Sequence, residues 1–266
     1  MKVGIYANDV KESLETKRML STQLQENGFV INDKEPDVVI TLGGDGTLLT
    51  GFHHYINRLN QIRFTAVNTG HLGFYTDWQN SEIEQLVQSL KKDDGKSVRY
   101  PLLKVTVHFN QKGRQPKVYL ALNESTLQKI TSTLIADVYL GDQLFEHFRG
   151  EGLCISTPTG STAYNKSVGG AVVNSSLKIL QLTEVASINN IVFRTLGSPM
   201  IIGPEDKLTI VPSAKSNYFL TVDSGSFRCN QISYIEFSLC KHYVNFVKYR
   251  HIDFWKRVQK SFIGEV

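Results

Sequence analysis

The chain has 266 residues, enough for one large domain or two smaller ones with their own cores. Its 29 Lys and Arg against 25 Asp and Glu leave a net charge of +4, which suits small anions and falls far short of a nucleic-acid footprint. No apolar run reaches membrane-spanning length, and the three widely spaced cysteines (Cys154, Cys229, Cys240) form neither a Cys-x-x-Cys pair nor a metal-ligand pattern. Such cysteines in strand-like surroundings predict reduced, buried thiols and a cytoplasmic protein. The opening Met1–Ala7 reads at once as a strand, which does not fit a secretory signal.

The first hundred residues alternate strand and helix. A strand at Val3–Ala7 leads into a helix from about Lys11 to Asn27, with Leu14, Met19, Leu20 and Leu24 as its candidate apolar face. Asp37–Leu42 has a buried-strand composition bounded by turn residues. A helix from about Thr47 to Leu59 follows, then a strand at Arg63–Asn68, a glycine-marked loop, and a helix from about Ser81 to Lys92. This rhythm predicts a Rossmann-like α/β domain over residues 1–98, a mostly parallel sheet with helices on its faces.

After Asp93-Asp94-Gly95-Lys96 the pattern turns β-rich. Strands are expected at Val98–Phe109, Lys117–Asn123, Ser132–Leu140 and Gln143–Phe148, with Gly141-Asp142 as a hairpin turn. Others follow at Lys207–Val211, Phe219–Val222 and Ile232–Leu239, so residues 99–242 are expected to form a second, β-sandwich-type domain. The tail Asp253–Phe262 is amphipathic with a basic face and is expected to pack against the protein rather than a membrane.

The run Gly43-Gly44-Asp45-Gly46-Thr47 lies between a strand and a helix. Its glycines allow turn conformations and a close ligand approach, and its one acid stands at the carboxyl end of a strand, where open α/β sheets bind ligands. The first turn of the next helix adds N–H groups suited to phosphate. The same letters also suit a tight turn with a helix cap.

A second run, Ser156-Thr157-Pro158-Thr159-Gly160-Ser161-Thr162-Ala163-Tyr164, follows strand-like Leu153-Cys154-Ile155 and leads to Asn165-Lys166-Ser167. Small hydroxyl residues can bond a sugar or amide without filling a pocket, and a tyrosine beside them can stack on a flat base; an ordinary Ser/Thr turn has the same look. Asn123-Glu124 sets an amide beside a carboxylate, a pair able to take both hydroxyls of a ribose or to serve as a polar loop. Arg149 and Glu151 flank Gly150, and as a surface ion pair they would be worth little. Gly95-Lys96-Ser97 is not a P-loop end, because position 90 is Leu90; no Gly-x-Gly-x-x-Gly, His-Glu-x-x-His or Gly-x-Ser-x-Gly occurs. His71, inside the Gly70–Gly73 loop, suits a structural loop role better than catalysis.

In order, these runs resemble the NAD kinase family in its compact bacterial form. The resemblance also takes in Asn68-Thr69-Gly70-His71-Leu72-Gly73-Phe74, Ala186-Ser187-Ile188-Asn189 and Val222-Asp223, and it covers essentially the whole chain. It implies transfer of the terminal phosphoryl group of ATP, or of polyphosphate, to the 2′-hydroxyl of the adenosine ribose of NAD, with Mg²⁺ or another divalent cation. It implies an α/β domain to which the chain end 243–266 returns, and a homodimer or homotetramer with no nucleic-acid or membrane partner. By matching position, Asp45 would be the general base and Gly46 would lie against the ligand, with Phe74 and Tyr75 beside the adenosine. Asn123 and Glu124 would hold ribose or adenine edges. Thr162, Ala163 and Ser167 would contact the adenine half, and Tyr164, Asn165 and Lys166 would border the dinucleotide. Arg149, Glu151, Thr159, Ala186 and Ser224 match further dinucleotide-contacting positions.

Two positions depart from the family pattern. Glu151 stands where close relatives usually carry Asp, and Ser224 where they often carry His or Asn. Both alter reach without touching Asp45. Two alternatives share the glycine run: a diacylglycerol- or sphingosine-type lipid kinase, and a dinucleotide sensor without catalysis.

Overall fold

A computed structural model describes residues 1–70, 73–129, 131–213 and 217–264, which fall into two units: 1–99 with 242–266, and 100–241. In the first unit, β1 (Lys2–Ala7) is followed by α1 (Lys11–Glu26), β2 (Val30–Ile31), β3 (Val38–Leu42), α2 (Asp45–His54), β4 (Arg63–Asn68), β5 (Trp78–Gln79) and α3 (Ile83–Lys91). Strands β2, β1, β3 and β4 lie side by side in that order, all parallel, with β5 parallel to the end of β4. Parallel neighbours require crossover connections, which the helices supply. Every residue of β3 is buried, as in a central strand covered on both faces. Helix α3 buries Ile83, Leu86, Val87 and Leu90, a single stripe at helical spacing.

Helix α1 differs from its expected face. It buries Ser13, Thr16, Leu20 and Leu24, while Leu14 and Met19 are 40% and 53% exposed. Residues 14 and 19 are five apart and cannot share one stripe, whereas 13, 16, 20 and 24 recur at helical spacing. The buried hydroxyls find partners: Ser13 Oγ lies 2.7 Å from Thr69 Oγ1, and Thr16 Oγ1 donates to the Glu12 carbonyl.

The second unit carries β6 (Ser97–Phe109), β7 (Lys117–Ala121), β8 (Glu124–Gln128), β9 (Leu134–Leu140), β10 (Gln143–Gly150), β11 (Gly152–Ser156), α4 (Tyr164–Ser167), β12 (Leu180–Val185), β13 (Met200–Ile202), β14 (Leu208–Pro212), β15 (Tyr218–Val222) and β16 (Gly225–Cys229). β6 starts three residues before the unit boundary, and β17 (Ile232–Val247) begins here and crosses it again. One antiparallel sheet has the order β13-β12-β11-β8-β15-β16; the other runs β10-β9-β14-β17, with β6 joining β17 and β7. Strands β14 and β15 alternate buried and half-buried residues, and one core draws Val138, Ile210 and Phe237 from one sheet and Leu127, Ile155 and Leu220 from the other. Two sheets closing on one core make a sandwich, the C-terminal β architecture the sequence implied. Gly141 and Asp142 form the two-residue β9–β10 turn, Gly141 at φ +58°. Strands β8, β12, β13 and β16 are not among those expected, and the strand expected over Lys117–Asn123 ends at Ala121.

In the first unit the far end of β17 pairs Phe246 in parallel with Phe64, and the final helix is α5 (Phe254–Phe262). The three cysteines carry thiols rather than disulfides; Cys154 and Cys229 are buried as expected, but Cys240 is only half-buried. Among the described residues no helix is long and apolar enough to cross a membrane.

Candidate active site

Strand β3 delivers the glycine run to its carboxyl end, and Asp45 opens α2, two residues before the expected start of that helix. Gly43 has φ +148°, and a Cβ there would lie 2.1 Å from Thr47 Oγ1, so no other residue fits. The half-buried Asp45 carboxylate is held from outside its own helix: Oδ2 accepts the Phe74 N–H at 2.7 Å and Oδ1 accepts the Tyr75 N–H at 2.8 Å. Gly73 makes this closure possible, because a Cβ there would lie 2.6 Å from Oδ1. Asp45, Phe74 and Tyr75 are thus gathered at one place, with exposed Gly46 next along the helix. Tyr75 is buried and stacks on Phe246 at 6.0 Å. His71 and Leu72 lie outside the described residues.

In the second unit three distant runs are bonded to one another. Asp223 accepts the Leu122 N–H on Oδ2 at 2.9 Å and the Asn123 N–H on Oδ1 at 2.7 Å. Thr157 donates its hydroxyl to the Leu122 carbonyl at 2.6 Å and receives the Gly160 N–H at 3.0 Å, and its own N–H reaches the Asn123 carbonyl at 2.9 Å. Glu124 accepts the backbone N–H of Tyr164. Asp223 and Thr157 therefore organise this region, although neither stood among the expected site residues. Their sequence signal was membership of the runs Ser156–Tyr164 and Val222-Asp223, which does not say what either side chain holds.

The hydroxyl-rich run folds as a 3₁₀ turn, Thr159–Thr162, followed by the single turn of α4. Thr162 Oγ1 donates to the Thr159 carbonyl and Ser167 Oγ to the Tyr164 carbonyl, while Thr159 Oγ1 is buried with no hydrogen-bond partner. Ala163 is half-buried and Lys166 is exposed. Asn165, expected at the dinucleotide's border, is wholly buried; its Oδ1 accepts the Thr183 hydroxyl at 2.7 Å, tying α4 to β12. Tyr164 is 38% exposed and its hydroxyl accepts from Gln128 Nε2 at 3.2 Å.

A cleft of about 550 Å³ opens beside this region, lined in part by Gln128, Lys129, Gly150, Glu151 and Ala186. Ala186 has φ +45°, a left-handed conformation that is strained for a residue with a Cβ. The Arg149 guanidinium lies 4.0 Å over the Phe193 ring, and Glu151 is exposed. Ser224 is exposed in the β15–β16 turn, directly after Asp223 at φ +49°.

Glu124 is the most perturbed carboxyl of this region. It is 9% exposed, and its Oε2 is buried with no hydrogen-bond partner. Burial first, and the Asp223 charge second, push its pKa from 4.5 up to about 8, against the pull of the Tyr164 N–H. The folded protein therefore holds a proton here that the unfolded chain releases above pH 4.5. Stability from this group is full below 4.5 and is lost as pH rises through about 8. Glu124→Gln is expected to flatten the fall in Tm between about pH 5 and 8 and to melt above wild type at the alkaline end. Melting curves across that range check it, and parallel wild-type and variant profiles would sink the assignment.

Two family profiles match the chain: the ATP-NAD kinase N-terminal domain over residues 30–94 and the ATP-NAD kinase C-terminal domain over residues 122–249. The NAD kinase of Levilactobacillus brevis is 50% identical over 264 residues, covering 99% of this chain and 98% of that protein. The NAD kinase of Lactobacillus gasseri is 50% identical over 265 residues, with 100% and 98% covered. Among solved structures, yeast NADH kinase complexed with NADH aligns with a TM-score of 0.82 at 18% identity, over 99% of this chain and 87% of that one. An NAD kinase from Archaeoglobus fulgidus in complex with ATP gives 0.75 at 20% identity, over 99% and 98%. These two likenesses concern the fold. The chain belongs to the ATP-NAD kinase family.

Proposed function

We propose, from that membership, that the chain is an NAD kinase, transferring the terminal phosphoryl group of ATP to the 2′-hydroxyl of the adenosine ribose of NAD. The observation that carries the mechanism is the Asp45 carboxylate, fixed by two N–H groups at the start of α2. Each oxygen gives one acceptor direction to an amide and keeps another for a substrate hydroxyl. Asp45 accepts the 2′-hydroxyl proton. A loose phosphoryl-transfer transition state needs the alcohol only partly deprotonated, so an ordinary carboxylate suffices. Alignment supplies much of the rate, and the amino end of α2, with Gly46, faces the charge of a phosphate.

Residues of the second unit supply further contacts to the dinucleotide. Asn123 and protonated Glu124 present donors and acceptors to ribose or adenine edges, and Thr162, Ala163 and Ser167 lie along the adenine half. Thr159, Arg149, Glu151, Ala186 and Ser224 add further contacts, and Asn165 holds the run in place from within. Phe74 and Tyr75 flank the adenosine, and Lys166 offers a cation to phosphate. Among the described residues no group of three or more His, Cys, Asp and Glu gathers to hold a metal ion. Mg²⁺ would arrive with the triphosphate and neutralise charge there. Exposed Ile191 and Val192, 94% and 77% accessible, support self-association as a dimer or tetramer. The reading places the enzyme in the cytoplasm.

The test is purified protein with Mg²⁺-ATP and NAD, read by an NADP-specific dehydrogenase. NADP formation supports the proposal. Phosphorylated diacylglycerol or sphingosine without NADP, or NAD binding without turnover, sinks it. The pose has its own check in Tyr164→Ala, which is expected to raise the Kd for NAD about tenfold, the loss of one base–aromatic contact. Its Tm should stay within about 2 °C of wild type, because more than a third of that side chain is exposed. An unchanged Kd by calorimetry would remove Tyr164 from the site.

A further inference from the structure

Helix α5 buries only two side chains, Phe254 and Arg257, and both end on residue 74. The Phe254 ring meets the Phe74 ring edge-on at 5.9 Å, and an Arg257 Nη donates to the Phe74 carbonyl. That carbonyl belongs to the same peptide unit as the Tyr75 N–H, which donates to Asp45 Oδ1. In a planar trans peptide the C=O and N–H point in opposite directions. Arg257, the peptide 74–75 and Asp45 therefore form one hydrogen-bonded line, and members of such a chain polarise one another.

The guanidinium is itself immobilised. Its other Nη bonds Asp77 Oδ1 at 2.5 Å and its Nε donates to the Ile252 carbonyl at 3.0 Å. Asp77 is completed by the Ile252 N–H and by His251 Nδ1, each at 3.1 Å. Arg257 is 6% exposed although it falls on the face read from sequence as basic. An apolar side chain would hold the helix with less desolvation, so simple docking does not explain a buried ion pair there.

We infer that Arg257, braced by Asp77, is a positioning residue that fixes the Asp45 carboxylate through the peptide 74–75; the catalytic part of this inference rests on the NAD kinase reading. Arg257→Ala is expected to lower kcat about 10²-fold, with the KM for NAD nearly unchanged, because a misplaced base costs rate rather than binding. Combined with Asp45→Asn, it is expected to cost nothing further, since both act on one carboxylate. Added guanidinium should restore part of the rate to the alanine variant. A folded Arg257→Ala enzyme with wild-type kcat, or a loss that multiplies with that of Asp45→Asn, overturns the inference.

The amide proton of Tyr75 gives a readout independent of turnover. It should move in the same direction in Arg257→Ala as in Asp45→Asn, and an unmoved resonance overturns the inference. If the wild type makes no NADP while the Tyr75 amide responds, the kinase reading falls and the positioning line stands. Should the alanine variant not fold, Arg257→Lys takes its place. Lysine keeps the cation but cannot serve the carbonyl and Asp77 together. It is expected to lose rate with an intact fold, and full activity in that variant overturns the inference as well.

Discussion

Asp45→Asn is expected to lower kcat by about 10²–10⁴-fold, the range for removal of a positioned general base. The geometry makes this substitution harsher than its shape suggests. Both carboxylate oxygens accept backbone N–H groups, at 2.7 and 2.8 Å. An asparagine must turn its NH₂ toward one of them, setting donor against donor. That amide is left unsatisfied, at a cost of about 1–3 kcal/mol, and the 73–75 loop must shift. Two effects then appear together: loss of the base, read in single-turnover kinetics, and a lower Tm. Asp45→Ala separates them, because it removes the base without opposing the amides. If Asp45→Ala retains more than a few per cent of wild-type kcat, the base assignment is wrong.

The second large effect is expected at Gly160. A Cβ there would lie 2.0 Å from the Asn123 carbonyl oxygen, 2.4 Å from its carbon and 2.6 Å from Asn123 Cα. These are backbone atoms, so no side chain can swing aside. Separating the two segments strains the Thr157 N–H bond to Asn123 and the Gly160 N–H bond to Thr157, which hold the 157–164 run against Asn123 and Glu124. A cost of about 3 kcal/mol, the upper range for overpacking, lowers Tm by about 6–12 °C in a protein of this size. NAD binding should weaken with it, since the same contact sets the ligand-facing residues. Gly44→Ala is the stability control, because nothing lies within 4 Å of a Cβ there. Equal melting temperatures for the two variants would refute the close-approach argument.

The α/β half was legible because its signals are local. β4 has the expected bounds, Arg63–Asn68, and β3 falls within one residue of them. Sequence and structure part where tertiary contacts compete with propensity. Helix α1 turns Ser13 and Thr16 inward beside Leu20 and Leu24, with Ser13 meeting Thr69, so Leu14 and Met19 are left on the outside. β5 and β13, of two and three residues, are too short to show a period of their own. The glycine run was legible as a site, but the amides that hold Asp45 were not, since they come from residues 29 and 30 positions away.

By itself the sequence determined the alternation of strands and helices, the later β-rich pattern, and a set of short runs specific enough to identify the family. All of these are local, set by side-chain periodicity and turn chemistry over a few residues. Only the tertiary structure decided who meets whom. It put Asp223 on the Leu122 and Asn123 amides from about a hundred residues away, and it left Glu124 dry beside that charge. It also brought Arg257, in a tail read as having a basic face, into a buried pair with Asp77, 180 residues earlier. A contact at that separation depends on the path of the whole chain, and no window of sequence contains both partners.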